Sequence, residues 1–140
     1  MNSDLERFLD AQKKDYQIAL SEIRSGRKRS HWMWYIFPQI AGLGQSETAK
    51  YYAINNIEEA KEYLNHEILG YRLSEISNEL LKLKKEDNAR NIFSTPDDMK
   101  LKSSMTLFVQ AAKENSIFQK VLDKFFNGES DDKTIKILKG

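Results

Sequence analysis

Apolar residues recur three and four positions apart along most of this chain, and no convincing stretch alternates with period two. Leu5, Phe8, Leu9, Gln12, Tyr16, Leu20 and Ile23 fall at helical spacing. Ser3 and Glu6 have the spacing of a capping box, and Gly26 sits where a C-terminal cap belongs. The spacing predicts a helix over residues 4–25. Ser46 starts a short helix bearing Tyr51 and Tyr52, whose consecutive positions point to different faces. Asn55 or Asn56 caps the next, with Ile57, Ala60 and Leu64 on one side. Gly70 marks a break or a close contact near the start of a longer helix. That helix carries Leu69, Leu73, Ile76, Leu80 and Leu83 and ends in a solvated cluster, Lys82, Lys84 and Lys85.

Thr95-Pro96-Asp97-Asp98 reads as a helix start, with a capping hydroxyl, Pro in the first helical position and acids in the first turn. Leu101, Met105, Phe108, Val109 and Ala112 then share a face. Ser116 opens a helix with Phe118, Val121, Leu122 and Phe125, stopped by Gly128, and Asp131 caps a last one through Leu138. The Trp-rich run before Pro38 is too short for its period to be diagnostic; it is a short buried helix or an extended segment. A loop through Gly42-Leu43-Gly44 follows. With no repeat or linker in sight, residues 1–140 are expected to form one compact, multihelical, all-α domain.

The composition narrows the chemistry. The chain has 140 residues, 40% hydrophobic and 31% charged, enough for one core without staples. Its 22 basic and 21 acidic residues leave a net charge of +1, so attraction for nucleic acid or an acidic membrane has to be local. Cysteine is absent, which excludes disulfides and thiolate catalysis. No apolar run approaches a membrane span or secretory signal, and a soluble cytoplasmic protein is expected. His31 and His66 lack neighbouring ligands at metal spacing, so neither a metal nor a cofactor is expected.

Two segments concentrate the remaining chemistry. Arg24 to Pro38 holds both tryptophans, His31 and the densest positive charge, with no acid between Glu22 and Glu47. One reading has Arg27, Lys28, Arg29 and His31 gripping an anion while Trp32, Trp34 or Tyr35 faces a ring. The other has a solvated basic linker followed by a core anchor. His31 is read as a hydrogen-bonded structural residue or, more sharply, as a general acid or base. Gly42-Leu43-Gly44 before Ser46 has the makings of a weak phosphate-facing turn, and Gln39 is placed to orient a polar group. The second segment runs from Pro96 to Thr106. Asp97 and Asp98, being adjacent, do not face each other, and capping accounts for at least one of them. Lys100 and Ser104 lie one turn apart, open to a Lys-activated Ser or to close packing by a small residue.

Gly26-Arg27-Lys28-Arg29-Ser30-His31-Trp32-Met33-Trp34-Tyr35-Ile36-Phe37-Pro38-Gln39, the Gly42-Leu43-Gly44 turn and the stretch Pro96-Asp97-Asp98 through Leu107-Phe108 resemble the bacterial family called domain of unknown function 1810. The similarity runs from the Leu5–Phe8 helix to Leu138. It implies a compact, mainly α-helical domain and no established reaction. The order of a Gly-Arg-rich aromatic segment, a Met-x-x-Phe helix, Phe-x-x-x-Leu and an Asp-rich turn is more loosely similar to the NADAR group of ADP-ribose glycosidases. That likeness suggests a ligand and transfers no catalytic residue.

The expected function is binding of a phosphate-bearing aromatic ligand, a nucleotide or ADP-ribose derivative. Arg27, Arg29 and His31 meet the anion, Trp32 or Trp34 packs on the ring, Gln39 orients, and Lys100, Lys102, Ser103 and Ser104 form the facing wall. Any chemistry would be hydrolysis of a glycosidic bond assisted by His31, Asp97 or Asp98. The alternatives are a helical interaction module of antitoxin or adaptor type, and a binder of single-stranded nucleic acid, which the near-zero charge disfavours. No membrane partner is expected, and the oligomeric state is open.

Overall fold

The computed structural model describes residues 4–113 and 116–140, and among them nine helices and no strand. In chain order these are α1 (Glu6–Arg24), α2 (Met33–Ile36), α3 (Glu47–Tyr52), α4 (Ile57–Asn65), α5 (Glu67–Lys82), α6 (Ala89–Phe93), α7 (Asp97–Ala111), α8 (Ile117–Phe126) and α9 (Asp132–Lys139). None is long and apolar enough to cross a membrane. Four starts use side-chain caps where the sequence places them. Ser46, Asn56, Ser116 and Asp131 accept from the backbone N–H groups of Ala49, Glu59, Gln119 and Thr134. Ser3, half of the expected capping box, lies outside the described residues.

Helix α7 is the centre of the molecule, packed against α4, α6, α8 and α9, while α5 packs against α1, α4 and α8. Residues 103 to 108 are buried without interruption, because neighbours surround the helix on most sides. The sequence suggests a single apolar face there; the serines and threonine between its apolar residues are buried as well. An aromatic chain, Phe8–Tyr63–Phe108–Phe118, crosses this core with centroids 5.2, 5.3 and 5.9 Å apart. Gln12 holds α2 in place from within it, donating to the Tyr35 carbonyl at 2.7 Å and the Tyr63 hydroxyl at 2.9 Å.

Two local expectations change, and a third, left open at Gly70, is decided. The chain bends at His66, whose Nδ1 accepts from Ile68 and Leu69, and Gly70 instead provides close contact. A Cβ on Gly70 would lie 2.1 Å from the Leu64 carbonyl oxygen. Pro96, not Thr95, occupies the position before α7, and the Thr95 hydroxyl donates to Asp98 at 3.1 Å. Helix α6 was not expected, since five residues are too few for a helical period.

Loop 37–44 is pinned to the segment after α3. Ala41 donates to Ile54 and Ile54 to the Gln39 carbonyl, each at 2.8 Å, around a lone parallel bridge between Ile40 and Ile54. Helix α9 is tied to α7 by the Asp131 N–H, which donates to Thr106 Oγ1 at 2.8 Å. Loop 37–44, the first turns of α7 and the start of α9 thus meet on one side of the molecule.

Candidate ligand-binding groove

The basic segment is organised from α1 by one carboxylate. Glu22 accepts from the Arg29 and Ser30 N–H groups at 2.8 and 3.0 Å, the Ser30 hydroxyl at 2.5 Å and the Trp32 indole N–H at 2.9 Å. Burial acts to raise the Glu22 pKa, but these hydrogen bonds outweigh it and bring the carboxyl from 4.5 down to about 2. A depressed folded-state value means that the stabilisation is fully present above about pH 4.5 and is lost as the pH falls toward 2. Thermal melts across this window should show the advantage of the native protein over Glu22→Gln shrinking as acid is added. A constant difference would remove Glu22 from the acid response.

Around this carboxylate the side chains part company. Trp32 is fully buried against Phe37 and Phe93, whereas Trp34 is half-buried. Arg27, Arg29 and His31 project into solvent. The run that looks like one site therefore divides into a core anchor, a half-covered ring and three exposed groups.

Lys28 joins it to the second segment. Its ammonium is 2.9 Å from Asp97 Oδ2 and 5.0 Å from the Trp32 ring centroid. The other Asp97 oxygen is 3.5 Å from Lys100, whose ammonium lies 5.0 Å from the Trp34 centroid. Two tryptophans, two lysines and one carboxylate thus alternate in a chain, with cation–π contacts at both ends. Asp98 is half-buried and engaged by Thr95.

Beside Lys100 opens a groove of about 600 Å³, a volume typical of small-molecule sites. Loop residues Gln39, Leu43 and Gly44 form one wall; Pro96, Met99, Lys100, Lys102 and Ser103 form the α7 wall. Ser130, Asp131, Asp132 and Lys133, leading into α9, close the third side. Gln39, Lys100, Lys102 and Ser103, four residues singled out by sequence, therefore share one groove. Arg27, Arg29, His31, Trp32, Trp34, Asp97, Asp98 and Ser104 are not among its lining. Ser104 is fully buried, and its hydroxyl has no hydrogen-bond partner among the described residues.

The electrostatics of the groove are mixed. Lys100 is shared with Asp97, Lys102 lies 3.7 Å from the exposed Glu129, and Lys133 is exposed at the lip. Asp131 is occupied in capping α9, accepting from Thr134 N–H at 3.1 Å and its hydroxyl at 2.6 Å. Ser103 donates to the Met99 carbonyl at 3.2 Å, leaving its oxygen able to accept. Leu43, Pro96 and Met99 add apolar surface next to these polar groups. Among the described residues no three His, Asp or Glu side chains converge as metal ligands. The sequence reading missed the 130–133 wall, since Asp131 announces only a helix cap and the bond to Thr106 that brings it here spans 25 residues.

Residues 2–138 match the sequence family described as "Protein of unknown function (DUF1810)". No curated protein matches the chain. The crystal structure of the conserved hypothetical protein Rv1873 from Mycobacterium tuberculosis is similar throughout, with 44% identity, 98% of this chain and 97% of that chain covered, and a TM-score of 0.95. With the match running from near the first residue to Leu138, the chain belongs to the DUF1810 family.

Proposed function

We propose that the chain binds a small phosphate-bearing ligand, such as a nucleotide or an ADP-ribose derivative, in the groove between α7 and the start of α9. One observation carries this reading: Lys100, Lys102 and Lys133 line a cavity of ligand size that also presents Leu43, Pro96 and Met99. Ammonium groups supply charge-assisted hydrogen bonds to phosphate, Gln39 and Ser103 supply orienting polar atoms, and the apolar residues take the organic part of the ligand. Anion contact thus moves from Arg27, Arg29 and His31 to the lysines. The reading is one of binding. Of the acids and bases considered for glycosidic hydrolysis, His31 and Asp98 stand outside the groove, and both Asp97 oxygens face ammonium groups.

Calorimetric titration with AMP and ADP-ribose tests it. Lys100→Ala with Lys102→Ala should weaken binding at least about tenfold, the scale of one lost charge-assisted hydrogen bond. Arg29→Ala with His31→Ala should leave affinity unchanged. The assignment fails if the lysine pair is silent or if neither compound binds the native protein.

A further inference from the structure

The basic turn after α1 has a neighbour that the sequence does not announce. The Lys28 N–H donates to the Ile92 carbonyl at 2.7 Å, which ties the turn to α6. On its other side, Arg24, Ser25 and Gly26 share a surface dent of about 430 Å³ with Lys82, Leu83, Lys84 and Asp87. A Cβ on Gly26 would lie 4.0 Å from Asp87 Oδ2, so the turn and the stretch after α5 approach closely. Together they gather the exposed side chains of Arg27, Arg29, Lys84, Lys85 and Arg90. Among the described residues none of these five forms an ion pair. Arg24 and Lys82 flank the dent and share Glu79, at 3.4 and 3.1 Å. The helix dipoles account for Arg24 and Lys82, in the last turns of α1 and α5, but not for Arg27, Arg29, Lys84 and Lys85 beyond the helix ends. Within stretches 24–31 and 82–90 the carboxylates are Glu86 and Asp87. In a chain whose net charge is +1, this face therefore holds more positive charge than the whole molecule.

We propose that this face binds the phosphodiester backbone of double-stranded nucleic acid. Cations on a turn and at helix ends supply phosphate contacts, and the dent between them gives a phosphate strand a place to lie. Neither stretch presents an exposed large apolar side chain. Stacking on unpaired bases uses aromatic surface, and insertion into a membrane interface uses apolar anchors. A duplex backbone needs neither, because its phosphates face outward. The local asymmetry answers the objection raised by the near-zero net charge, since the attraction is confined to one face. The dent shares no lining residue with the groove between α7 and α9, so the two readings stand or fall separately.

Fluorescence anisotropy of a short labelled DNA duplex, titrated with the native protein and three double variants, tests the proposal. Native affinity should fall about fortyfold between ~50 and ~200 mM salt, the loss expected for about three phosphate contacts. Arg27→Gln with Arg29→Gln, and Lys84→Gln with Lys85→Gln, should each weaken binding at least about fivefold and lower the salt slope by about two. Lys13→Gln with Lys14→Gln removes the same charge from exposed positions on α1 and should change affinity less than about twofold. Equal loss in all three variants would mean that net charge alone attracts the duplex, and would overturn the proposal. Loss in only one of the two face variants, both folded, would overturn it as well. Circular dichroism checks the fold, and the Lys84 and Lys85 pair, which leaves the turn held by Glu22 untouched, keeps the test decisive should the other misfold. Absence of duplex binding at ~50 mM salt, tighter binding of the single strand, or retention on phosphatidylserine vesicles without duplex binding would each defeat it.

Discussion

Replacing Arg7 with Met should remove about 3–5 kcal/mol of stability, the scale of stranding one member of a buried ion pair. The Arg7 and Glu59 side chains are 5% and 3% exposed, with Nη2 and Oε1 3.1 Å apart. The guanidinium also donates to the Tyr51 carbonyl at 2.9 Å, the Ala53 carbonyl at 2.8 Å and the Asp4 carbonyl. Met keeps much of the aliphatic length but offers none of these donors. Glu59 would retain the Asn55 N–H at 2.8 Å, and the Tyr51 and Ala53 carbonyls would lose the guanidinium. Glu59→Gln should cost less, since an amide oxygen still accepts from Arg7 and Asn55. Making both positions apolar should recover part of the loss, because no unpaired charge is then buried. Urea denaturation of the three variants measures this. A loss below about 1 kcal/mol in Arg7→Met would mean that Glu59 is accommodated without its partner.

The same pair reaches the groove indirectly. It anchors the backbone at residues 51–53, and the adjoining Ile54 pairs with the loop that holds Gln39. Loosening that anchor should make the Gln39 wall less ordered without touching a lysine. Stability and ligand affinity should therefore fall together in Arg7→Met and separately in the Lys100 variants.

Capping made much of the fold legible, because a cap is a contact over three residues. Ser46, Asn56, Ser116 and Asp131 all bond the N–H that their position specifies. His66 escaped notice because an imidazole nitrogen is an uncommon cap, and Glu22 because its donors lie seven to ten residues away across a turn. The groove was half legible. Lys100 and Ser103, three apart on α7, share a wall by helical geometry alone, whereas composition gives no direction to the side chains of an irregular loop. Arg29 points outward while the Glu22 carboxylate takes the backbone N–H groups of Arg29 and Ser30, an arrangement that charge density cannot disclose.

The sharpest ambiguity, whether the tryptophans build a core or a site, has a thermodynamic answer. Trp32→Ala should cost about 3–5 kcal/mol, the usual loss for a large buried aromatic, while Trp34→Ala should cost less than half of that. Trp32 has no exposed surface, packs with Phe37 and Phe93 at centroid distances of 6.3 and 6.4 Å, and places its N–H on Glu22. Its removal opens a cavity and leaves Glu22 with one donor fewer. Trp34 is only partly buried, and it contacts Lys100, a residue of the groove wall. Four residues of helix are enough to create this difference, since neighbours two apart on a helix point well away from each other. Urea denaturation separates the pair, and AMP titration adds the second axis. Trp34→Phe should keep its fold and its heat of binding and lose the fluorescence change that AMP produces through the Lys100 contact. Trp32→Phe, if stable enough to titrate, should keep the response. Equal destabilisation by the two alanine variants would place both rings in the core.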